Sequence, residues 1–274
     1  MSKLEDLRKQ IKAVHTQALG QRVLLVEGID DEQAFSVWLN KRSPGWENSW
    51  VVAPAGRKAD VLALLALEPD WLGVVDRDEW SADTIAEKKQ ELPNLWVLPR
   101  FCLENYLCDP DELWAMLPPR QQQRIESNGS NQQALADAVT QHLPLWCQHG
   151  ALWQVANPLQ AGLQALGFKD RLLNITHAGN EQVIRQTLNE WHRFLEPEPI
   201  WAAYQTRLAE VNTWSAPQQL SGAVHGKRFF QAVITPVLNQ LLGQARAERH
   251  QKDLLKHAQP PADLQPLWQR MNLP

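Results

Sequence analysis

The chain has 274 residues, 44% hydrophobic and 21% charged, the balance of a folded globular protein with room for one large domain or two small ones. Lys and Arg (27) against Asp and Glu (31) leave a net charge of −4, which excludes a uniformly basic nucleic-acid coat but not a local basic face. There is no apolar run of about 18 residues and no apolar signal core at the start, so no membrane span or secretion is expected; three cysteines without a CxxC pair argue against a disulfide framework or thiolate zinc site and fit a reducing cytoplasm.

Leu4, Leu7, Ile11, Val14 and Leu19 recur at near-helical spacing, predicting an amphipathic helix within residues 1–18. Arg22–Val26 is apolar on both faces, as suits a central parallel strand, and Asp30-Asp31 cap a helix over Glu32–Lys41. Strands follow at Trp50–Ala53, Trp71–Val75 and Asn94–Leu98, separated by helices from Lys58 to Leu67 and from Ala82 to Gln90. This alternation predicts an α/β fold with a mostly parallel sheet of about four strands flanked by helices. Past Pro110 the β-branched runs vanish and Gln, Ala and Leu dominate. Helical periodicity marks Gln132–Leu143, Glu181–Phe194, Ile200–Val211 and Lys227–Ala245, with loops at Pro118-Pro119, Ser127–Ser130, Ala178–Asn180 and Ala216-Pro217. The expected organisation is an N-terminal helix (1–18), an α/β domain (19–117) and an all-helical C-terminal region (118–274). The 13 Trp, from Trp38 to Trp268, follow no fixed period and are expected as core or interface anchors. Charge is uneven: residues 1–110 hold 13 Lys/Arg against 18 Asp/Glu, and residues 221–274 hold 7 against 3.

The chemical signal is where the acids fall. Glu27 ends the first strand, and Asp76 and Asp78 end the third. Ligands of open α/β sheets sit beyond the carboxyl ends of strands, and residues i and i+2 of an extended segment point the same way. Converging carboxylates repel unless protonated or bridged by a cation, and hard oxygen ligands select Mg2+ or Mn2+. Each piece has a plain structural reading: Glu-Gly as a turn, Asp-x-Asp as a solvated loop, Asp30-Asp31 as a helix cap. Their order and placement are what single them out.

Val26-Glu27-Gly28-Ile29-Asp30-Asp31, followed by Val74-Val75-Asp76-Arg77-Asp78, resembles a TOPRIM domain, the catalytic fold of topoisomerases, primases and OLD-family nucleases. Arg100-Phe101-Cys102-Leu103-Glu104-Asn105-Tyr106-Leu107 is similar to the ENYL element of OLD-like TOPRIM proteins, in particular of a bacterial family that includes the nuclease subunit of the PARIS anti-phage defence system. The resemblance covers about residues 20–110, with His225-Gly226-Lys227-Arg228 as a further short match. It implies that Glu27 serves as general acid/base or metal ligand and that Asp76 and Asp78 bind metal. It also implies that Asp31 serves the metal and that Glu104, the acid of ENYL, is a further metal ligand. Glu104 has a competing reading as a buried structural carboxylate. Lys227 corresponds to the lysine that stabilises the transition-state phosphate, and Lys58, just after the second strand, competes for that role.

The implied function is a Mg2+- or Mn2+-dependent TOPRIM endonuclease acting on DNA or RNA (tRNA included), as effector of an anti-phage system. The resemblance further implies a separately encoded ABC-type ATPase partner and a homodimer. With only Tyr106 and Tyr204 in the chain, and Tyr106 inside ENYL, a topoisomerase-type transesterase is disfavoured. The eight His show no HExxH or His-x-His spacing; no GxxxxGK[ST] loop, GxGxxG or nucleophile elbow occurs. The basic stretch Arg246–Lys256 reads first as a solvated helix face and second as a phosphate contact. Two other readings stand beside the nuclease: a non-catalytic TOPRIM scaffold, and a hydrolase of small phosphate esters.

Overall fold

A computed structural model describes residues 3–15, 20–168, 170–173 and 180–273. Along the chain run α1 (Lys3–His15), β1 (Arg22–Val26), α2 (Ile29–Arg42), β2 (Trp50–Pro54), α3 (Lys58–Leu67), β3 (Leu72–Val75), α4 (Ala82–Glu91) and β4 (Leu95–Val97). Among the described residues they form one four-stranded sheet, order β2-β1-β3-β4, parallel throughout, with Leu24 level with Val52 and Leu72, and Gly73 level with Leu95. The expected α/β class with a parallel sheet and a helical C-terminal region is what the chain adopts. Leu19 and the Ala178-Gly179 part of one expected loop lie outside the described residues.

The strand side chains alternate between two apolar faces, as the pleat requires. Val23, Leu25, Ala53, Val75, Leu95 and Val97 join Ile11 of α1 and Val61, Leu64 and Leu65 of α3. Gly73 lets α3 come close: a Cβ there would stand 2.6 Å from a Leu65 methyl. Leu24, Val26, Val52, Leu72 and Val74 face the other way, against Ala34, Phe35, Trp38 and Leu39 of α2.

After β4 the Leu103–Leu107 segment forms a 3-10 turn, followed by helices to the end of the chain. These are α5 (Pro110–Met116), α6 (Pro119–Ser127), α7 (Gln132–Thr140), α8 (Leu143–Ala165), α9 (Asp170–Leu173), α10 (Glu181–Phe194), α11 (Pro197–Asn212) and α12 (Ala216–Gly222). Then come α13 (Gly226–Phe229), a π-helical stretch over Phe230–Ile234, α14 (Thr235–Leu242), α15 (Ala247–His257) and α16 (Gln265–Arg270). Pro119 and Pro217 lie in the first turns of α6 and α12 rather than in loops, because proline has no N–H to lose there and its φ suits the helix. The face of the sheet that holds Leu24 is closed by these helices: Phe229, Phe230, Ile234, Leu264, Leu267, Trp268 and Met271 belong to the same apolar cluster. Trp38, Trp50 and Trp268 are fully buried in it, in the anchor role expected of the tryptophans. No described helix is long and apolar enough to cross a membrane.

Candidate metal and phosphate site

The chain leaves β1 for β2 through α2 on one face, and leaves β2 for β3 through α3 on the other. The crevice beyond the carboxyl ends of β1 and β3 is therefore the point where the winding reverses, the usual ligand position in such sheets. Glu27 directly follows β1 and Asp76 directly follows β3. Glu27 Oε1 accepts the Asp76 backbone N–H at 2.9 Å, so the two strand ends share one rim. Asp31, in the first turn of α2, accepts the Gly28 N–H at 2.7 Å, a favourable place for an anion. Asp76 Oδ1 accepts the Leu103 N–H at 3.1 Å, which draws in the 3-10 turn bearing the buried Glu104.

Asp78 reaches the rim by a different route from the expected extended one. Its φ is +49°, a left-handed conformation that Asp tolerates. Its N–H donates to the Phe101 carbonyl at 2.7 Å, and its carboxylate meets Lys58 Nζ at 2.5 Å. The Lys58 ammonium in turn stands 4.5 Å from the Trp80 ring centroid. The residues expected at the site, Glu27, Asp31, Asp76, Asp78, Glu104 and Lys58, are thus gathered at the sheet's switch point.

Their charges act on one another. Burial pushes Asp31 up to about 7, with Glu27, Glu104 and Asp30 adding to the rise against the Gly28 N–H. Asp76 is pushed well above the usual carboxylate range, first by burial and then by Asp31, Asp78, Glu27 and Glu104. Burial also raises Glu27, opposed by Lys58 and the Asp76 N–H and helped by Asp78. Two like charges 4 Å apart repel by about 4 kcal/mol at an effective dielectric near 20. A set like this stays partly protonated or takes up a cation. Oxygen donors of this kind fit a hard divalent ion. As the side chains stand, each of the four rim acids is turned to a backbone N–H or to Lys58, and no group of three or more His, Cys, Asp or Glu among the described residues is poised to hold a metal.

Lys227 sits in α13, which packs against the Leu103–Leu107 turn. Its side chain is exposed and has no carboxylate at ion-pair distance among the described residues. The docking depends on two residues whose roles have no local sequence signal. Buried Asn105 accepts the Cys102 N–H at 2.9 Å and donates to the carbonyls of Leu220 (2.6 Å) and Val224 (2.9 Å). Gly226 lies against it so closely that a Cβ would stand 2.3 Å from Asn105 Oδ1. Arg77, between the two aspartates, donates to the Gly222 carbonyl at 2.7 Å.

Covalent nucleophiles are poorly placed. Cys102 and Cys108 are buried and their thiols are pushed well up, chiefly by burial; Cys147 rises to about 11 for the same reason. Such thiols are inert. Tyr106 is buried and its phenol is likewise raised by burial and by Asp263.

Compared with known proteins, the chain matches no protein-family model, no curated protein and no solved structure.

Proposed function

We propose that the chain is a divalent-metal-dependent endonuclease that hydrolyses phosphodiester bonds in DNA or RNA. The observation that carries this reading is the cluster of mutually repelling carboxylates at the switch point of a parallel sheet. Glu27, Asp31, Asp76 and Asp78 would hold Mg2+ or Mn2+, with Glu104 behind them. A bound divalent ion there would polarise water and offset phosphate charge. Glu27, whose affinity for protons burial raises, would be the base for the attacking water where it is not itself bound to the ion. Lys58 holds Asp78 at the rim, its own charge already matched. Lys227, unmatched, is the cation free to offset charge building on the phosphate. The setting that goes with this reading is a homodimeric effector controlled by a separate ABC-type ATPase in anti-phage defence.

One observation favours a second reading, a non-catalytic binding module: every rim acid already has a partner within the chain. The two are separated by incubating the full chain with labelled DNA and RNA in Mn2+, beside Glu27→Gln, and by following thermal unfolding with and without Mn2+. Cleavage lost in Glu27→Gln supports the nuclease. No cleavage of either polymer, together with no metal-induced rise in Tm, removes it.

A further inference from the structure

A wall of rings leads away from the acidic rim. Asp78 donates its N–H to Phe101, whose ring centroid is 5.3 Å from that of His225. His225 meets Trp153 of α8 edge-on at 4.7 Å. The Arg228 guanidinium lies 4.7 Å from the Trp153 ring centroid, and His149 stacks on the same indole at 6.0 Å. Burial and the neighbouring Arg228 both lower His149 and His225, so these rings add no positive charge near neutrality. The positive charge of the wall belongs to Lys227 and Arg228, both exposed and neither at ion-pair distance from any carboxylate among the described residues. Phe229 and Phe230, fully buried, anchor the segment immediately behind them. An arginine held over an aromatic ring has less side-chain freedom to lose on meeting an anion.

We propose that Arg228, laid on Trp153, binds a backbone phosphate of a nucleic-acid strand next to the phosphate that is cut. The path of the strand rests on the nuclease reading; the phosphate contact itself does not. The ligand is a polyanion tracking the wall from the acidic rim past His225 to the indole. Arg228 contributes to binding, whereas Lys227 contributes to the chemical step.

The test uses the full chain carrying Glu27→Gln, so that substrate persists, with fluorescently labelled DNA and RNA oligonucleotides over a range of salt. Arg228→Ala is expected to weaken binding about tenfold near 0.1 M salt and to reduce the slope of log K against log salt by about 1. Arg228→Lys recovers part of the affinity, because it keeps the charge and loses the forked guanidinium donors. Trp153→Phe stays close to the parent, and thermal unfolding confirms that each variant is folded. In cleavage assays on the chain with Glu27 intact, Arg228→Ala raises KM and leaves kcat. Unchanged affinity and salt slope in Arg228→Ala overturn the proposal, even if the native chain cleaves. Failure of the parent to bind either oligonucleotide also overturns it. Arg228-dependent binding without cleavage in any divalent metal supports this subsite and removes the nuclease reading.

Discussion

Asp76 shows what the site demands of single residues. It is enclosed by burial, by Asp31, Asp78, Glu27 and Glu104, and its one bond to the Leu103 N–H leaves the repulsion standing. Asn at this position keeps an oxygen for that N–H and removes the charge, so Asp76→Asn is expected to stabilise the metal-free protein by roughly 1–3 kcal/mol near pH 8 while abolishing any gain in Tm from Mn2+. A destabilised variant would count against repulsion as the dominant force at the rim. The pH dependence has a definite sign. Burial and the neighbouring acids push Asp31 up to about 7 from the ordinary aspartate value near 3.8, so the folded state holds the extra proton between these limits. Stability of the metal-free chain is therefore full below about pH 4 as far as this group is concerned, and is lost as pH rises through 7. A divalent ion held by these acids would reverse that loss, so on the proposed reading the Mn2+-induced rise in Tm is expected to be larger at pH 8 than at pH 5.5. A rise independent of pH would mean that the metal binds elsewhere.

Between elements, the junction that matters is the Leu103–Leu107 turn against α12 and α13. Asn105 serves three backbone partners there, and Gly226 leaves no room for a side chain. Asn105→Ala leaves two carbonyls and one N–H without that partner and is expected to cost roughly 2–4 kcal/mol. Gly226→Ala drives a methyl into Asn105, with an expected cost of roughly 1–3 kcal/mol. Both should lower activity more than an equally destabilising change on the far sheet face, such as Leu64→Ala, because they shift Lys227 relative to the carboxylates; equal losses at equal stability would show that the junction only holds the fold. This junction was the least legible part of the chain. The strands announced themselves as apolar runs, since a strand covered on both faces leaves little room for polar residues, and acids placed just after such runs were readable as a rim. Asp78 was readable as a residue but not as a geometry, because nothing local marks its left-handed turn. Long-range contacts such as Asn105 with Val224, or Arg228 on Trp153, carry no periodicity at all. The prolines misled for a local reason: Pro119 and Pro217 punctuate the chain, yet in a first helical turn they open elements instead of separating them.

At the scale of the whole molecule, the helical region is the second wall of the sheet. The face carrying Leu24, Val52, Leu72 and Val74 is covered by residues as distant as Phe230, Leu267 and Met271. Phe35 meets Trp268 edge-on at 6.0 Å, and Trp50 Nε1 donates to the Met271 carbonyl at 3.1 Å. Arg100, just after β4, makes two 2.6 Å bonds to Glu112 and one of 3.0 Å to Asp263, tying the turn that bears Glu104 to the C-terminal end of the chain. A fragment of residues 1–117 would keep every rim carboxylate, yet it would expose one face of the sheet and the inner surface of α2. Such a contiguous apolar surface is not tolerated by an isolated soluble domain. The fragment is expected to aggregate or to lack a cooperative thermal transition, whereas the full chain unfolds cooperatively. A sharp melt and a dispersed amide spectrum from residues 1–117 would refute this and make the acidic site an autonomous unit. If the fragment fails as expected, the carboxylates of the sheet and the cations of α13 belong to one folding unit, and neither half of the site assembles without the other.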